Sequence, residues 1–381
     1  MKILYISLVD HKKISNWSGT YYYISKALEM QQMEIEYITD IFPEIPFTER
    51  IKRKFYATVL GKTYNHLFTK KVIRNLRNQL NQLVEKSNAD IIFSPSSIPM
   101  ALLNTTRPKV VYTDACFAAM INFYPDYIKL PNRFKNKGNE LEQGALNKCS
   151  RVIYSSNWAA EAAIKFYSLD PAKVKVIPFG ANVENLENEE DVRARINQKD
   201  INCCCRLLFI GVDWERKGGN VALEVTEQLN RLGLKTELWV VGCLPKMNGS
   251  MPNFVKLYGF ISKESDEGKK KIEQLLSEAH FLIVPSLAEA YGLVFCEANA
   301  YGLPCISTNV GGIPTIIKDE VNGKLFPPFE LPLNIAHYIM EIYNDKAKYE
   351  KLAMSSFNEY KERLNWKVAG GGLKNIFEEL I

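Results

Sequence analysis

Between Phe281 and Pro304 the chain reads FLIVPSLAEAYGLVFCEANAYGLP. Two carboxylates, Glu289 and Glu297, have seven residues between them. They straddle the point near Tyr291-Gly292 where an apolar strand (Phe281 to Val284) and its turn give way to a helix. The first turn of a helix carries N–H groups without intrahelical partners, and these favour an anion such as a phosphate. An acid before that turn and another inside the helix can accept hydrogen bonds from hydroxyls on either side of the phosphate. This set suits a ligand with polar groups at both ends of a phosphate bridge, such as a nucleotide sugar. The plainer alternative puts Glu297 on an exposed helix face. Its neighbours Phe295, Cys296, Ala298 and Ala300 are small or apolar, so the helix is expected to be buried on more than one side. An unpaired carboxylate there would be costly. Tyr301-Gly302-Leu303-Pro304 supplies the stop.

Three further loops follow apolar runs. Gly211-Val212-Asp213-Trp214-Glu215-Arg216-Lys217-Gly218-Gly219 puts two cations beside two glycines at a helix entrance, which suits a diphosphate; a solvated basic turn is the alternative. It lacks the GxxxxGK[ST] spacing of a phosphate-binding P-loop. Trp17-Ser18-Gly19-Thr20 offers a glycine for close backbone approach, or simply a capped helix start. Asn309-Val310-Gly311-Gly312-Ile313-Pro314 is either a second such approach or a tight turn. Asp114 ends the run Tyr112-Thr113-Asp114 and is either a binding group or a loop and capping residue. The four histidines, His11, His66, His280 and His337, show no metal spacing, and the eight cysteines contain no CxxC pair. Cys203, Cys204 and Cys205 are adjacent and cannot all face one ion. No metal and no cofactor are expected, and free thiols in a reducing compartment are.

The elements that must position these residues alternate between strand and helix. Apolar runs at Ile3–Val9, Ile91–Phe93, Val110–Tyr112, Val152–Tyr154 and Val174–Ile177 are followed, after a break, by Leu207–Ile210, Leu238–Val241, Val255–Leu257, Phe281–Val284 and Cys305–Ser307. Helical periodicity lies between them, as in Thr20–Gln31, Leu67–Val84, Ser156–Tyr167, Val221–Leu232 and Lys269–Glu278. This is α/β, with two doubly wound parallel-sheet, Rossmann-like domains and right-handed crossovers. The break near Pro178–Asn185 divides a first domain, 1–180, from a second, 181–355. A helical tail, 356–381, returns to the first domain, and the segment from Tyr349 on is expected to be interrupted at Gly370-Gly371-Gly372. Ligands of such sheets lie at the carboxyl ends of strands, so an interdomain cleft is expected.

The 381 residues are 46% hydrophobic and 24% charged, an ordinary globular composition. No apolar run reaches the ~20 residues of a membrane span, and the short apolar start reads as a buried strand rather than a signal peptide. The expected location is cytoplasmic. Residues 1–180 hold 25 Lys/Arg against 15 Asp/Glu, and residues 181–381 hold 23 against 28. The basic half can face anionic lipid head groups or an anionic acceptor. Between Glu49 and Arg77, cations such as Arg50, Lys52, Arg53 and Lys54 interleave with Ile51, Phe55, Tyr56, Val59 and Leu60. That mixture suits peripheral contact with the inner membrane face; a solvated helical face is the alternative. No nucleic-acid partner is expected.

Taken together, the Gly19 loop, Trp214-Glu215-Arg216-Lys217-Gly218-Gly219, the Glu289/Glu297 pair around Tyr291-Gly292-Leu293, and Gly311-Gly312 resemble glycosyltransferase family 4, of the GT-B fold. The resemblance spans nearly the whole chain and is strongest over residues 207–325. It implies a retaining, metal-independent hexosyltransferase with a nucleotide-diphosphate sugar as donor and a glycan or lipid-linked acceptor, in cell-surface polysaccharide or glycolipid synthesis. By the same resemblance, Arg216, Lys217 and the backbone N–H groups of Leu293 and Val294, with Tyr291 and Gly292 at the turn, hold the diphosphate. Glu297 takes the ribose, Glu289 lies by the donor sugar, Phe260 and Ile261 lie by the base, and Gly19 lets the first domain approach the phosphates. Asp114 stands where many members carry His, and the first loop has one glycine where the family often has two. A GT-B protein that binds without catalysis is one rival reading. A nicotinamide-dependent oxidoreductase is another, and it lacks the GxGxxG turn it needs after the first strand.

Overall fold

A computed structural model describes residues 1–41, 45–184, 188–199, 203–245 and 250–381. Asn185, the far end of the expected break, lies outside the described residues. The chain forms two compact units, Met1–Pro178 with Ala369–Ile381, and Phe179–Val368. Among the described residues no helix is long and apolar enough to cross a membrane.

The first unit is built on six parallel strands: β1 (Lys2–Ile6), β2 (Glu34–Ile38), β3 (Ile91–Ser94), β4 (Lys109–Thr113), β5 (Arg151–Tyr154) and β6 (Val174–Val176), in the order β2-β1-β3-β4-β5-β6. β3 is buried throughout and β1, β4 and β5 nearly so, as continuous apolar runs require when helices cover both faces. β2 is absent from the list of apolar runs because it is an edge strand whose sequence, EIEYI, alternates. Lys2 sits within 3.4 and 3.3 Å of Glu34 and Glu36 along that edge. The helix Lys70–Glu85 buries Val72, Ile73, Leu76, Leu80 and Val84, one stripe at helical spacing.

The second unit repeats the plan with β7 (Cys205–Ile210), β8 (Thr236–Val241), β9 (Val255–Gly259), β10 (Phe281–Val284), β11 (Cys305–Thr308) and β12 (Gly323–Phe326), in the order β12-β11-β10-β7-β8-β9, all parallel. The four-residue edge strand β12, GKLF, was also beyond the apolar pattern. In each sheet the chain winds outward in one direction, returns to the middle, and winds outward in the other. Crossovers therefore diverge between β1 and β3, and between β7 and β10. At such a point the loops leaving the two neighbouring strands part and leave a crevice at their carboxyl ends.

The helix Phe47–Thr58 of the first unit buries only Glu49. Phe47, Ile51, Phe55 and, just past its end, Val59 repeat every four residues and are 75, 54, 50 and 64% exposed, with Arg50, Lys52, Arg53 and Lys54 exposed among them. The buried Glu49 carboxylate accepts from the Tyr64 hydroxyl and pairs with Lys52 at 2.8 Å.

The tail departs from expectation. The helix Lys346–Arg363 ends at Leu364-Asn365, and a second helix, Trp366–Glu378, runs unbroken through Gly370-Gly371-Gly372. Gly370 and Gly372 serve packing. A Cβ on Gly370 would lie 2.4 Å from the Ala27 carbonyl oxygen of the helix Thr20–Glu29, and one on Gly372 would lie 3.1 Å from Ile177. Gly371 has nothing within 4 Å of that position. Gly370→Ala is therefore expected to destabilise by about 1–3 kcal/mol through overpacking against backbone. Gly371→Ala is expected to be neutral or to stabilise by up to about 1 kcal/mol through helix propensity. Urea melts of the two variants check this; equal losses at both positions would contradict the packing account.

Candidate functional site

The β7/β10 crevice of the second unit collects most of the residues singled out by sequence. The loop after β7 carries Arg216 and Lys217 and ends at Gly218, whose φ of 76° caps the helix Gly219–Arg231. Only glycine serves there, because a Cβ would lie 2.0 Å from the Pro285 carbonyl oxygen of the loop after β10. The two loops are thus locked edge to edge. The Leu287 N–H donates to the Arg216 carbonyl (2.8 Å), and the Arg216 guanidinium donates to the Ala288 carbonyl (2.8 Å). Trp214 packs flat on Gly219 and donates from its indole N–H to Asn220 at 2.7 Å, which fixes the turn from inside.

The loop after β10 brings Glu289 to those cations. Its carboxylate pairs with the Lys217 ammonium and lies 3.5 Å from the Arg216 guanidinium. Lys217 and Glu289 are both buried. A charge in that position must be paired or given an anionic ligand, because stripping its water is costly. Gly292, with φ 103°, caps the helix Leu293–Ala300, so the N–H groups of Leu293 and Val294 belong to the first turn, where an anion is favoured. The Glu289 carbonyl accepts from the Gly312 N–H at 3.0 Å, which ties the Gly311-Gly312 loop after β11 to the same place.

Glu297 lies on the helix Leu293–Ala300, of which six residues are buried. Its carboxylate pairs with the Lys263 ammonium at 2.6 Å. Lys263 stands three residues beyond Phe260, and its pairing ties the segment after β9 to the helix that carries Glu297. Phe260 itself is exposed. Lys263 had no sequence signal: a single loop lysine outside any glycine pattern reads as surface charge. The Tyr291 side chain turns inward, donating from its hydroxyl to the Phe179 carbonyl at 2.8 Å within the unit. Only its backbone is left for a ligand.

Gly19 and Asp114 belong to the first unit. Trp17, Ser18 and Gly19 have φ of 49°, 54° and 86°, a left-handed run that holds non-glycine residues under strain immediately before the helix Thr20–Glu29. Asp114 follows β4. Trp17, Tyr21 and Asp114 line one cavity of about 400 Å³ with Ser96 and Ser97, just past β3, which places the cavity at the β1/β3 divergence. Sequence reading missed Glu142, on the helix Asn132–Lys148, which also lines it. Its carboxylate accepts from the Ser97 hydroxyl and from the Phe117 backbone N–H. Burial outweighs those two bonds and pushes the carboxyl up to about 7. Among the described residues, no group of three or more His, Cys, Asp and Glu could hold a metal ion.

The Glu142 shift has a sign. In the unfolded chain the carboxyl loses its proton near its ordinary 4.5, while the folded protein keeps it to about 7. Between those values the folded state binds more protons, so this group lowers stability as pH rises through that window. Its titratable neighbours Cys116, Tyr127, Tyr154 and Tyr167 are all pushed upward, mainly by burial, and stay neutral there. Glu142→Gln is expected to remove this slope: the melting temperature of the variant relative to the parent rises between pH 5 and pH 8. Parallel melting curves across that range would refute the assignment.

Comparison with known proteins bears on both units. The family described as "Glycosyltransferase Family 4" matches residues 20–185, and that described as "Glycosyl transferases group 1" matches residues 204–345. Comparison with curated protein sequences gave no match. Among solved structures, a sucrose-phosphate synthase from Thermosynechococcus elongatus superposes with a TM-score of 0.70 at 18% identity, over 100% of this chain and 99% of that one. A glycosyltransferase from Rickettsia africae gives 0.67 at 18% identity, over 100% and 98%. HepE from Anabaena, solved in complex with UDP and glucose, gives 0.63 at 16% identity, over 99% and 99%. Identities this low speak for the fold alone. The two family matches, one in each unit and in the order that the sheets occur, show that the chain belongs to the family 4 and group 1 glycosyltransferases of GT-B architecture.

Proposed function

We propose that this glycosyltransferase is a retaining enzyme. It moves a hexose from a nucleoside-diphosphate sugar to a hydroxyl of a glycan or glycolipid and uses no metal. The observation that carries this reading is the pair of cations Arg216 and Lys217, gathered with Glu289 beside the N-terminus of the helix Leu293–Ala300. When the bond between the anomeric carbon and the diphosphate breaks, negative charge grows on the leaving phosphate. Fixed cations and helix N–H groups at that point stabilise it without reorganisation. The acceptor oxygen forms the new bond on the same face, and its proton passes to the departing phosphate oxygen, as in the family's usual account. Glu297, held by Lys263, takes the ribose hydroxyls, Phe260 and Ile261 lie by the base, and Glu289 attends the donor sugar. Gly19 keeps the phosphate-approach role that the resemblance gives it, and Asp114 orients the acceptor.

HepE and TarM structures contain UDP, which makes uridine the first base to try. WaaG, a relative in fold, is described as acting in lipopolysaccharide biosynthesis, in keeping with a cell-surface glycan product. The exposed apolar stripe of the helix Phe47–Thr58, with its flanking cations, supports peripheral attachment to an anionic membrane face from the cytoplasmic side.

Lys217→Ala and Arg216→Ala are each expected to lower kcat/KM by a hundredfold or more, about 2.7 kcal/mol of transition-state stabilisation. Full activity in both would dismiss the proposed diphosphate site. A thermal-shift panel of UDP, GDP, ADP and their sugars should single out one base, since a ligand bound only to the folded state raises its stability. A protein that binds a donor yet releases no nucleotide with any acceptor would instead be the non-catalytic reading. For the membrane, vesicles containing phosphatidylglycerol should co-sediment the protein and neutral phosphatidylcholine vesicles should not. Combined Phe47→Ser, Ile51→Ser and Phe55→Ser should abolish that binding; unaltered sedimentation would count against it.

A further inference from the structure

The first-unit cavity has a charge pattern opposite to that of its half of the chain. Its lining contains the carboxyl groups of Asp114 and Glu142 and, among the described residues, no lysine, arginine or histidine. The excess cations of residues 1–180 lie elsewhere, in part on the exposed helix Phe47–Thr58. The cavity also presents aromatic rings: Trp17 and Tyr21 from the β1 side, their centroids 5.3 Å apart, and Phe117 with Tyr127 opposite, 5.6 Å apart. Phe117 is seated by Gly138, since a Cβ there would lie 2.2 Å from its ring. Asn65, Ser96 and Thr113 supply neutral hydrogen-bonding groups.

A phosphate binding here would meet no cation of the lining and would face the Asp114 carboxylate, with which it shares the sign of its charge. A pyranose fits each of these features. Its C–H face lies on aromatic rings, and its hydroxyls can donate to the Asp114 carboxylate and bond with amide and hydroxyl side chains. The volume, about 400 Å³, lies in the range of small-molecule sites. Resting on the reading that the first unit holds the acceptor, we infer that this cavity selects an uncharged sugar end of the acceptor and excludes a phosphate at that position. The acceptor is then the terminal sugar of a glycan or glycolipid. A bare polyprenyl phosphate, the anionic acceptor that the basic half suggests, is not accommodated. Asp114 is the contact that makes this choice, and Glu142 is a positioning residue that ties together Ser97 and Phe117 on two walls.

The test is calorimetric titration of the full chain, with saturating UDP present to fill the second-unit site, with p-nitrophenyl glycosides of glucose, galactose, mannose and N-acetylglucosamine, with the matching sugar 1-phosphates, and with farnesyl phosphate. At least one glycoside is expected to bind about tenfold or more tighter than its 1-phosphate. Trp17→Ala should weaken that glycoside about tenfold, and Asp114→Asn should narrow the gap by admitting the 1-phosphate. UDP titrations of the same proteins report separately on the second unit and show that the variants are folded. UDP binding together with tighter binding of 1-phosphates or farnesyl phosphate, or with no glycoside bound at all, overturns this inference and leaves the donor site standing. Glycoside binding with the stated selectivity in a protein that binds no nucleotide supports the cavity assignment and overturns the proposed donor reading instead. An unchanged gap in Asp114→Asn overturns the role given to Asp114.

Discussion

The second unit is organised around a buried ion pair. Lys217 and Glu289 pair out of contact with water, and the half-buried Arg216 lies 3.5 Å from Glu289 and 3.5 Å from Asp213. Such a group persists only if the surrounding backbone fixes it, because each buried charge loses hydration that its partner must replace. The fold supplies that constraint through close approach. Gly218 against Pro285, Gly219 beneath Trp214 and Gly312 bonded to Glu289 are contacts of backbone with backbone or ring, and a larger residue at Gly218 or Gly219 would push them apart. The cations are therefore fixed in place, and the proposed stabilisation of a leaving group would need no reorganisation as charge develops.

The two units use one topology for opposite electrostatics. In each sheet the chain reverses its winding direction once, and polar side chains gather at that divergence. In the second unit the divergence carries two cations, each paired with a carboxylate, beside a helix N-terminus; in the first it carries two carboxyl groups with no cation in the cavity lining, one of them pushed up to about 7 by burial, with aromatic rings. The parallel sheet fixes where a site forms. The identity of the loop residues sets what the site binds, so fold alone says nothing about substrate. That separation suits a transfer reaction whose two substrates differ chemically, one bearing a diphosphate and the other a hydroxyl.

How far this was legible in the sequence follows from the kind of signal involved. Arg216, Lys217 and Glu289 sit near glycines at strand-to-helix turns, with Glu297 in the helix that follows one of them, and those turns are marked by local composition. Their shared location could be read because a parallel sheet puts successive loops at one edge. Lys263 and Glu142 could not be read this way. Each is a charged residue in a stretch that looks solvated, and each reaches its partner only through tertiary packing, 34 residues away for Lys263 to Glu297 and 45 for Ser97 to Glu142. The strands β2 and β12 escaped for a related reason, since edge strands need not be continuously apolar. The glycine run 370–372 was legible as unusual but carried the wrong meaning. Helix-breaking propensity of about 1 kcal/mol per glycine is overridden where close helix packing demands the absence of a side chain.

Net charge by sequence half is informative about surfaces and misleading about sites. The basic balance of residues 1–180 suggests an anionic partner for that half, and in the folded chain its cations occupy faces such as that of the helix Phe47–Thr58, where they stay hydrated. The cavity of the same unit has none of them in its lining; a buried lysine or arginine needs a dedicated partner, and Glu142 is already bonded to Ser97 and Phe117. Long-range fields from a surface draw a molecule toward the protein; the short-range chemistry of a cavity decides which end of it is held. For an acceptor carried on a lipid, the two requirements are compatible. An anionic membrane would answer the surface, and an uncharged sugar would answer the cavity.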